Sequence, residues 1–263
     1  MEKTALFCDI GNSTLDLIET DFCSYEAFKI PTGDPRRMKD IFETFKDSKR
    51  PLHAYISSVD KKGLANLTHV LAELRISSSL LTHARMRMFC KANGYTVSNV
   101  DILGTDLFCD IVARKSEKGM IVIDLGTASK ILYLNARKEF LGGQIFPGLS
   151  SFPEILSVKT DLLGRNELVL DPALVSLETK ESISSGAING GAALIVKMVE
   201  EIRKLYQDPD CEVYLTGGNG YLVKKRLLGF GLSEMKTDAH LVNEGLARIY
   251  GFENVLSFQE EIR

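Results

Sequence analysis

No two cysteines in this chain stand at C-x-x-C spacing, and the five present (Cys8, Cys23, Cys90, Cys109 and Cys211) are odd in number and scattered. That argues against a zinc site and a disulfide framework, and leaves reduced, largely buried thiols in a cytoplasmic protein as the expectation. No run of Lys or Arg stands out, and the net charge is −3 with an isoelectric point near 5.9. Nucleic acid and anionic membranes are therefore poor candidate partners, and a small molecule is the better one. No apolar run approaches the ~18 residues that a membrane span needs. The opening stretch MEKTALFCDIG enters a strand pattern at once, without a signal-peptide layout. Neither G-x-x-x-x-G-K-S/T nor G-x-G-x-x-G occurs, which removes the P-loop and Rossmann readings. The four histidines (His53, His69, His83, His240) share no ligand spacing, and no Ser-His-Asp arrangement suggests itself.

What is present is an ordinary globular balance, 44% hydrophobic and 25% charged. A chain of 263 residues buries enough surface to need no disulfide or structural metal. Strand patterns over Thr4–Ile10, Leu15–Glu19 and Tyr25–Ile30 precede an amphipathic helix from Pro35 carrying Met38, Ile41, Phe42 and Phe45. Ala54–Val59 reads as a strand and Lys61–Leu74 as a helix. Residues 84–105 have mixed periodicity with a turn at Asn93-Gly94, and look like a connection between halves. The order then restarts with strands at Gly119–Asp124, Lys130–Asn135 and Phe140–Ile145. Helices are expected over Ser150–Leu162 and Glu181–Tyr206, a short strand at Glu212–Leu215, and a packing helix at Leu241–Tyr250. In the long helix, Gly186, Gly190 and Gly191 imply either a kink or a face that another backbone approaches closely, such as a second subunit. Lys61-Lys62 and Lys224-Lys225-Arg226 read as solvated faces. Strands alternating with helices make the fold α/β.

Two stretches carry the chemistry. Met120–Ile123 is an apolar strand that delivers Asp124 onto a Gly126-Thr127 turn, and Ala5–Cys8 delivers Asp9 onto Gly11, Asn12, Ser13 and Thr14 in the same way. A carboxylate repels phosphate, but it holds Mg²⁺, which bridges nucleotide oxygens. The glycine admits backbone N–H groups, and the Asn and hydroxyl side chains donate to phosphate oxygens. Alone, D-x-G-N is equally a good hairpin turn. Paired across the two halves, and joined by a late glycine turn at Thr216-Gly217-Gly218, the corners suggest a duplicated fold with a nucleotide cleft between two lobes.

DIGNST, Gly104-Thr105-Asp106, DLGTA, GGQIFPGL at Gly142–Leu149, T-x-x-x-I-x-S-G at Thr179–Gly186, TGG and LVNEGLARIY at Leu241–Tyr250 occur in that order. In order and spacing the sequence resembles the type III pantothenate kinases, also called the Bvg accessory factor family, of the acetate kinase/sugar kinase/Hsp70/actin superfamily. The resemblance implies duplicated ribonuclease H-like, actin-like ATPase lobes, here drawn at 1–112 and 113–263, and ATP-dependent phosphorylation of pantothenate in coenzyme A synthesis. It implies that Asp9, Gly11, Asn12, Ser13, Thr14 and Asp16 form one phosphate loop and Gly126 and Thr127 part of the other, with Gly217 and Gly218 near the adenosine. Asp106 would be the general base, and Gly104, Thr105, Leu107 and Thr179 would surround pantothenate. Asp124 would bind a monovalent cation, K⁺ or NH₄⁺, alongside the Mg²⁺ that accompanies ATP. A cytoplasmic homodimer is implied as well.

Phosphoryl transfer is mostly positioning and electrostatics, so loops, cations and one base suffice. A carboxylate ionised at neutral pH accepts the proton as the hydroxyl attacks. Asp106 has a competing role as N-cap of a helix following Gly104-Thr105, and Thr179 as cap of the long helix. Several positions depart from the family. Leu107 stands where an arginine follows the base, so no charge is offered there to a substrate carboxylate. The aromatic expected upstream falls on Val97, with Tyr95 nearby, Asp16 replaces a lysine, and Ser129-Lys130 replaces a pair of threonines. Lys130 is a candidate to restore positive charge. These changes motivate an alternative: a re-purposed member that keeps the nucleotide loops and takes another ligand or partner.

Overall fold

A computed structural model of the chain describes residues 4–21, 24–45, 52–163 and 167–252. Two compact units result: Met1–Lys115 with His240–Arg263, and Ser116–Ala239.

The first unit is built on a five-stranded mixed sheet of order β3-β2-β1-β4-β5. Its strands are β1 (Thr4–Ile10), β2 (Thr14–Thr20), β3 (Tyr25–Pro31), β4 (Leu52–Ser58) and β5 (Ser77–Leu80). β1 lies between antiparallel β2 and parallel β4. A central strand covered on both faces needs a nearly unbroken apolar run, and Ala5-Leu6-Phe7-Cys8 supplies one that is buried throughout. Helices α1 (Pro35–Thr44) and α2 (Lys61–Glu73) cover one face. Each starts on an aspartate: Asp34 accepts from Arg37 N–H at 3.0 Å and Asp60 from Gly63 N–H at 2.5 Å, satisfying donors that a helix start leaves open. Met38 and Phe42 of α1 and Leu67, Val70 and Leu71 of α2 close over Leu6, Cys8 and Ile10.

The segment expected as a connection between halves is instead a helix of this unit, α3 (His83–Asn93). Thr82 caps its start, and the Asn93-Gly94 turn is its left-handed C-cap, Gly94 having φ 73°. Next comes α4 (Thr105–Val112). The terminal helix α9 (Leu241–Ile249) also lies in this unit, whereas the sequence reading placed it with the second lobe. Asn243 explains the return: its buried amide donates to the carbonyls of Phe7 (3.0 Å) and Asp16 (3.2 Å). Buried Arg248 likewise donates to Tyr95 Oη (3.0 Å) and to the carbonyl of Val112 (2.5 Å), at the far end of α4. The LVNEGLARIY stretch is thus a staple for the first sheet.

The second unit repeats the plan. Its strands are β6 (Met120–Leu125), β7 (Ala128–Leu134), β8 (Phe140–Pro147), β9 (Glu212–Thr216) and β10 (Met235–Thr237), in the order β10-β9-β6-β7-β8. Taken from β8, this matches the first sheet strand for strand, with β6 between antiparallel β7 and parallel β9. All six residues of β6 are buried. The helices are α5 (Phe152–Lys159), α6 (Thr179–Ser185), α7 (Gly191–Leu205) and α8 (Gly220–Gly229). Between α6 and α7 the chain makes one π-helical turn, Gly186–Gly190, so the glycines mark a local irregularity within a continuous helix. That helix, Thr179–Leu205, has 27 residues and is apolar enough to cross a membrane by length and composition, unlike the sequence expectation; half of its most apolar window is buried inside the unit. Ile188, Ala192, Ile195 and Val199 pack with Ile121, Ile123 and Leu125 of β6, as in a core helix.

Cys8, Cys109 and Cys211 are buried and Cys90 half-buried, all as free thiols; Cys23 lies outside the described residues. Lys225 and Arg226, expected on a solvated face, both pair with Asp171, Arg226 at 2.7 Å. The histidines serve structural contacts: His53 bonds Ser77 and Ser79, His69 meets Glu73, His83 reaches the Leu103 carbonyl, and His240 stacks edge-on against Tyr25.

Candidate active site

In the first unit the Asp9 corner is a short hairpin turn. The Gly11 N–H donates to the Thr14 carbonyl at 2.9 Å, and Thr32 holds the turn from the side, its N–H on the Ser13 carbonyl (3.1 Å) and its hydroxyl on the Asn12 carbonyl (3.3 Å). Asn12 and Ser13 are left exposed at the tip. Asp16 sits opposite Asp9 across the hairpin. Thr14 donates to Asp16 at 3.3 Å, and Lys29, opposite Asp16 on β3, lies 3.3 Å from its carboxylate. Asp16 is thus paired with a positive charge on the neighbouring strand.

Asp106 reaches the same sheet end through Thr105. The Thr105 hydroxyl accepts from Ser57 Oγ (3.0 Å) and Ser58 N–H (3.1 Å) and donates to the Ser58 carbonyl (3.2 Å). Ser57 pairs with Asp9 across the β1–β4 ladder. The N-cap of α4 is Gly104, with no side-chain cap, so Asp106 does not serve as the cap. It stands in the first turn, half-buried, where a carboxylate also complements the helix dipole. Its Oδ1 lies over Gly104: a Cβ there would come within 2.5 Å of that oxygen, so only glycine leaves the carboxylate this position. Burial pushes the Cys109 thiol well up, and the charges of Asp9, Asp110 and Asp106 push it further. Cys8 is raised too, by burial and then by Asp9. Leu107 is half-buried, while Tyr95 and Val97 are core residues rather than pocket walls.

In the second unit the Asp124 corner is laced to the glycine turn after β9. Asn219 donates its backbone N–H to the Leu125 carbonyl (2.7 Å) and its side-chain amide to the Gly126 carbonyl (2.9 Å) and Ser150 Oγ (3.1 Å). Gly126 N–H closes onto the Ala128 carbonyl at 3.1 Å, and Gly148 N–H holds the Thr127 carbonyl at 3.1 Å. Gly217 has φ 85°, and a Cβ there would stand 2.5 Å from both Asp124 Oδ1 and Leu125 N; backbone and space both demand glycine. Thr127 and Gly218 are exposed. Asp124 is 6% exposed, and its Oδ2 lies 2.5 Å from Lys130 Nζ. Thr179 is exposed in the first turn of α6, whose N-cap is Glu178, so Thr179 is no cap either.

Sequence reasoning missed Ser57, Asn219 and Gly148. The Asn directly after T-G-G was the available signal for one of them; Ser57 had none beyond ending a strand.

Among the described residues, no group of three or more His, Cys, Asp or Glu is placed to hold a metal ion. Mg²⁺ is nevertheless suited to this chemistry, because it binds through one or two carboxylates plus substrate phosphates and keeps several waters. The half-buried Asp9, a single carboxylate at a strand end, fits that mode. A monovalent cation at Asp124 does not fit, since the Lys130 ammonium already occupies that carboxylate.

The profile of the type III pantothenate kinase family matches residues 5–201. A type III pantothenate kinase from Sulfurihydrogenibium sp. is 29% identical over 235 residues, covering 84% of this chain and 91% of that protein. One from Persephonella marina is 34% identical over 157 residues, 59% of each chain. Among solved structures, the ethanolamine utilization protein EutJ from Carboxydothermus hydrogenoformans superposes with a TM-score of 0.50 at 14% identity, covering 92% of this chain and 88% of that one. The fold is that of the actin-like ATPases.

Proposed function

Because the chain belongs to the type III pantothenate kinase family, we propose that it phosphorylates pantothenate with ATP, the first step of coenzyme A synthesis, using Asp106 as general base. The observation that carries the base assignment is the placement of Asp106: half-buried, not spent on a helix cap, and fixed through Thr105 to the strand end beside Asp9.

The pantothenate hydroxyl oxygen attacks the γ-phosphorus, its proton passes to Asp106, and ADP leaves as the bond to the β-phosphate oxygen breaks. Asp9 would hold the Mg²⁺ that a kinase of this fold takes up with its nucleotide. When bound, that ion neutralises charge building on the phosphates. Gly11 and Gly126 close their own turns through their N–H groups, which leaves exposed Asn12, Ser13 and Thr127 as the side-chain donors offered to phosphate oxygens. Asp16 fixes the first loop through Thr14 and Lys29, and Gly217-Gly218 is the turn assigned to the adenosine. Gly104 borders pantothenate and Thr105 acts as a positioning residue; Thr179, exposed on the second unit, is the further substrate-side position that the resemblance implies. Leu107 gives the substrate carboxylate an uncharged neighbour.

The chain is read as a cytoplasmic homodimer. Gly186 and Gly190 have nothing within 4 Å of a built Cβ, and with Leu174, Val175, Ala193 and Phe230 they line an open cavity of about 450 Å³. Exposed Leu174, Val175 and Leu177 extend that apolar surface, which a second copy would cover.

The test is a product analysis. Purified protein with ATP and Mg²⁺ is offered pantothenate and, separately, other small primary alcohols. Phosphopantothenate with equimolar ADP supports the reading; ADP formed only with another acceptor would move the substrate.

A further inference from the structure

Lys130 follows the Asp124 corner directly and pairs with Asp124 across the β6–β7 hairpin. The two side chains are only 16% and 9% exposed, with Nζ 2.5 Å from Oδ2. The other oxygen, Oδ1, faces Gly217, where even one added carbon would stand 2.5 Å away. Lys130 thus engages Oδ2 from within the unit, and the glycine turn leaves little room beside Oδ1. A buried carboxylate is costly without a counter-charge, and a lysine ammonium is a compact cation with three N–H donors, close in chemistry to NH₄⁺. Held on the adjacent strand, it reaches Asp124 without the entropy loss of capturing a free ion.

We propose that Lys130 is a built-in monovalent cation: its ammonium sits on Asp124 in place of K⁺ or NH₄⁺, so that the enzyme works without either. This rests on the kinase reading above and removes one of the ions expected from the sequence. Lys130 stands where the resemblance expects a threonine, so the departure and the occupied carboxylate are one change.

Turnover is measured at constant ionic strength in choline chloride, KCl and NH₄Cl, for wild type and Lys130→Thr. Wild type is expected to vary less than twofold among the salts. Lys130→Thr should lose at least tenfold in choline and recover saturably with NH₄⁺ or K⁺. Activation of wild type by twofold or more with K⁺ or NH₄⁺ overturns the proposal, as does a Lys130→Thr variant indifferent to the salt. Thermal unfolding in the same salts reads the site without catalysis. A K⁺-dependent rise in Tm is expected for Lys130→Thr and not for wild type, and a rise in wild type contradicts the assignment. If neither protein phosphorylates pantothenate, the unfolding series still decides the cation question, while the substrate reading fails separately.

Discussion

Ser57 donates its hydroxyl proton to Thr105 at 3.0 Å, and that bond joins the strand beside Asp9 to the helix turn that carries Asp106. Two carboxylates thereby share one frame. The sheet end fixes Asp9 by its ladder position, and the threonine hydroxyl transmits that position to α4.

Thr105→Val keeps the shape and removes the hydroxyl, leaving the Ser58 N–H without its partner. Unsatisfied buried groups cost about 1–3 kcal/mol, so denaturant unfolding should show a loss in that range. The positioning role predicts more: kcat falls at least tenfold while ATP affinity is kept, and Thr105→Ser restores both. A variant that loses stability and retains kcat would reduce Thr105 to a packing residue.

Gly217→Ala places a methyl group against Asp124 Oδ1 and Leu125 N and forces a residue with a Cβ into φ 85°. The expected result is destabilisation beyond ~1 kcal/mol together with at least tenfold weaker nucleotide binding, read by calorimetry with a non-hydrolysable ATP analogue. Unchanged nucleotide affinity would detach this turn from the nucleotide site.

Leu107→Arg restores a charge next to the base. A charge-assisted hydrogen bond contributes about 1.5–3 kcal/mol, so KM for pantothenate should drop roughly tenfold or more with little change in KM for ATP. An unaffected or higher KM for pantothenate would show that this side chain does not face the substrate carboxylate.

Burial raises the Cys8 and Cys109 thiols, and nearby aspartates raise them further, which removes the reactive thiolate at neutral pH. Peptide-level mapping after iodoacetamide treatment of the native protein at pH 8 should find half-buried Cys90 modified before Cys8 and Cys109, which are modified only after unfolding. Early modification of Cys109 would show that the packing around α4 is more open than described.

Much of this was legible in the sequence because the central strands are buried on both faces. Ala5–Cys8 and Met120–Ile123 had to be continuous apolar runs, and the aspartates at their ends stood out against them. The edge strands were not legible: β5 is Ser-Ser-Ser-Leu and β10 has three residues, too short and too polar for an alternation to register. Helix α3 hid because it buries only Met86 and Phe89. The boundary of the second unit was misplaced because α9 is tied to β1 and β2 by one side-chain amide, Asn243, over more than two hundred residues of sequence. The site was read in the same uneven way. Asp9, Asp124 and the glycine turns carry local signatures, whereas Ser57 and Asn219 act on partners 48 and 93 positions away, a relation that no local pattern encodes. Lys130 could be named from the sequence as a candidate replacement charge, but its pairing with Asp124 is visible only in three dimensions.

The central claim is that Asp106 removes the proton. The most direct measurement is single-turnover formation of phosphopantothenate by wild type and Asp106→Asn, with ATP-analogue affinity determined on the same samples. General-base catalysis contributes typically ~10²–10⁴-fold, so the variant should lose at least a hundredfold in rate while binding nucleotide within about twofold of wild type. An Asp106→Asn enzyme that turns over within tenfold of wild type would contradict the account.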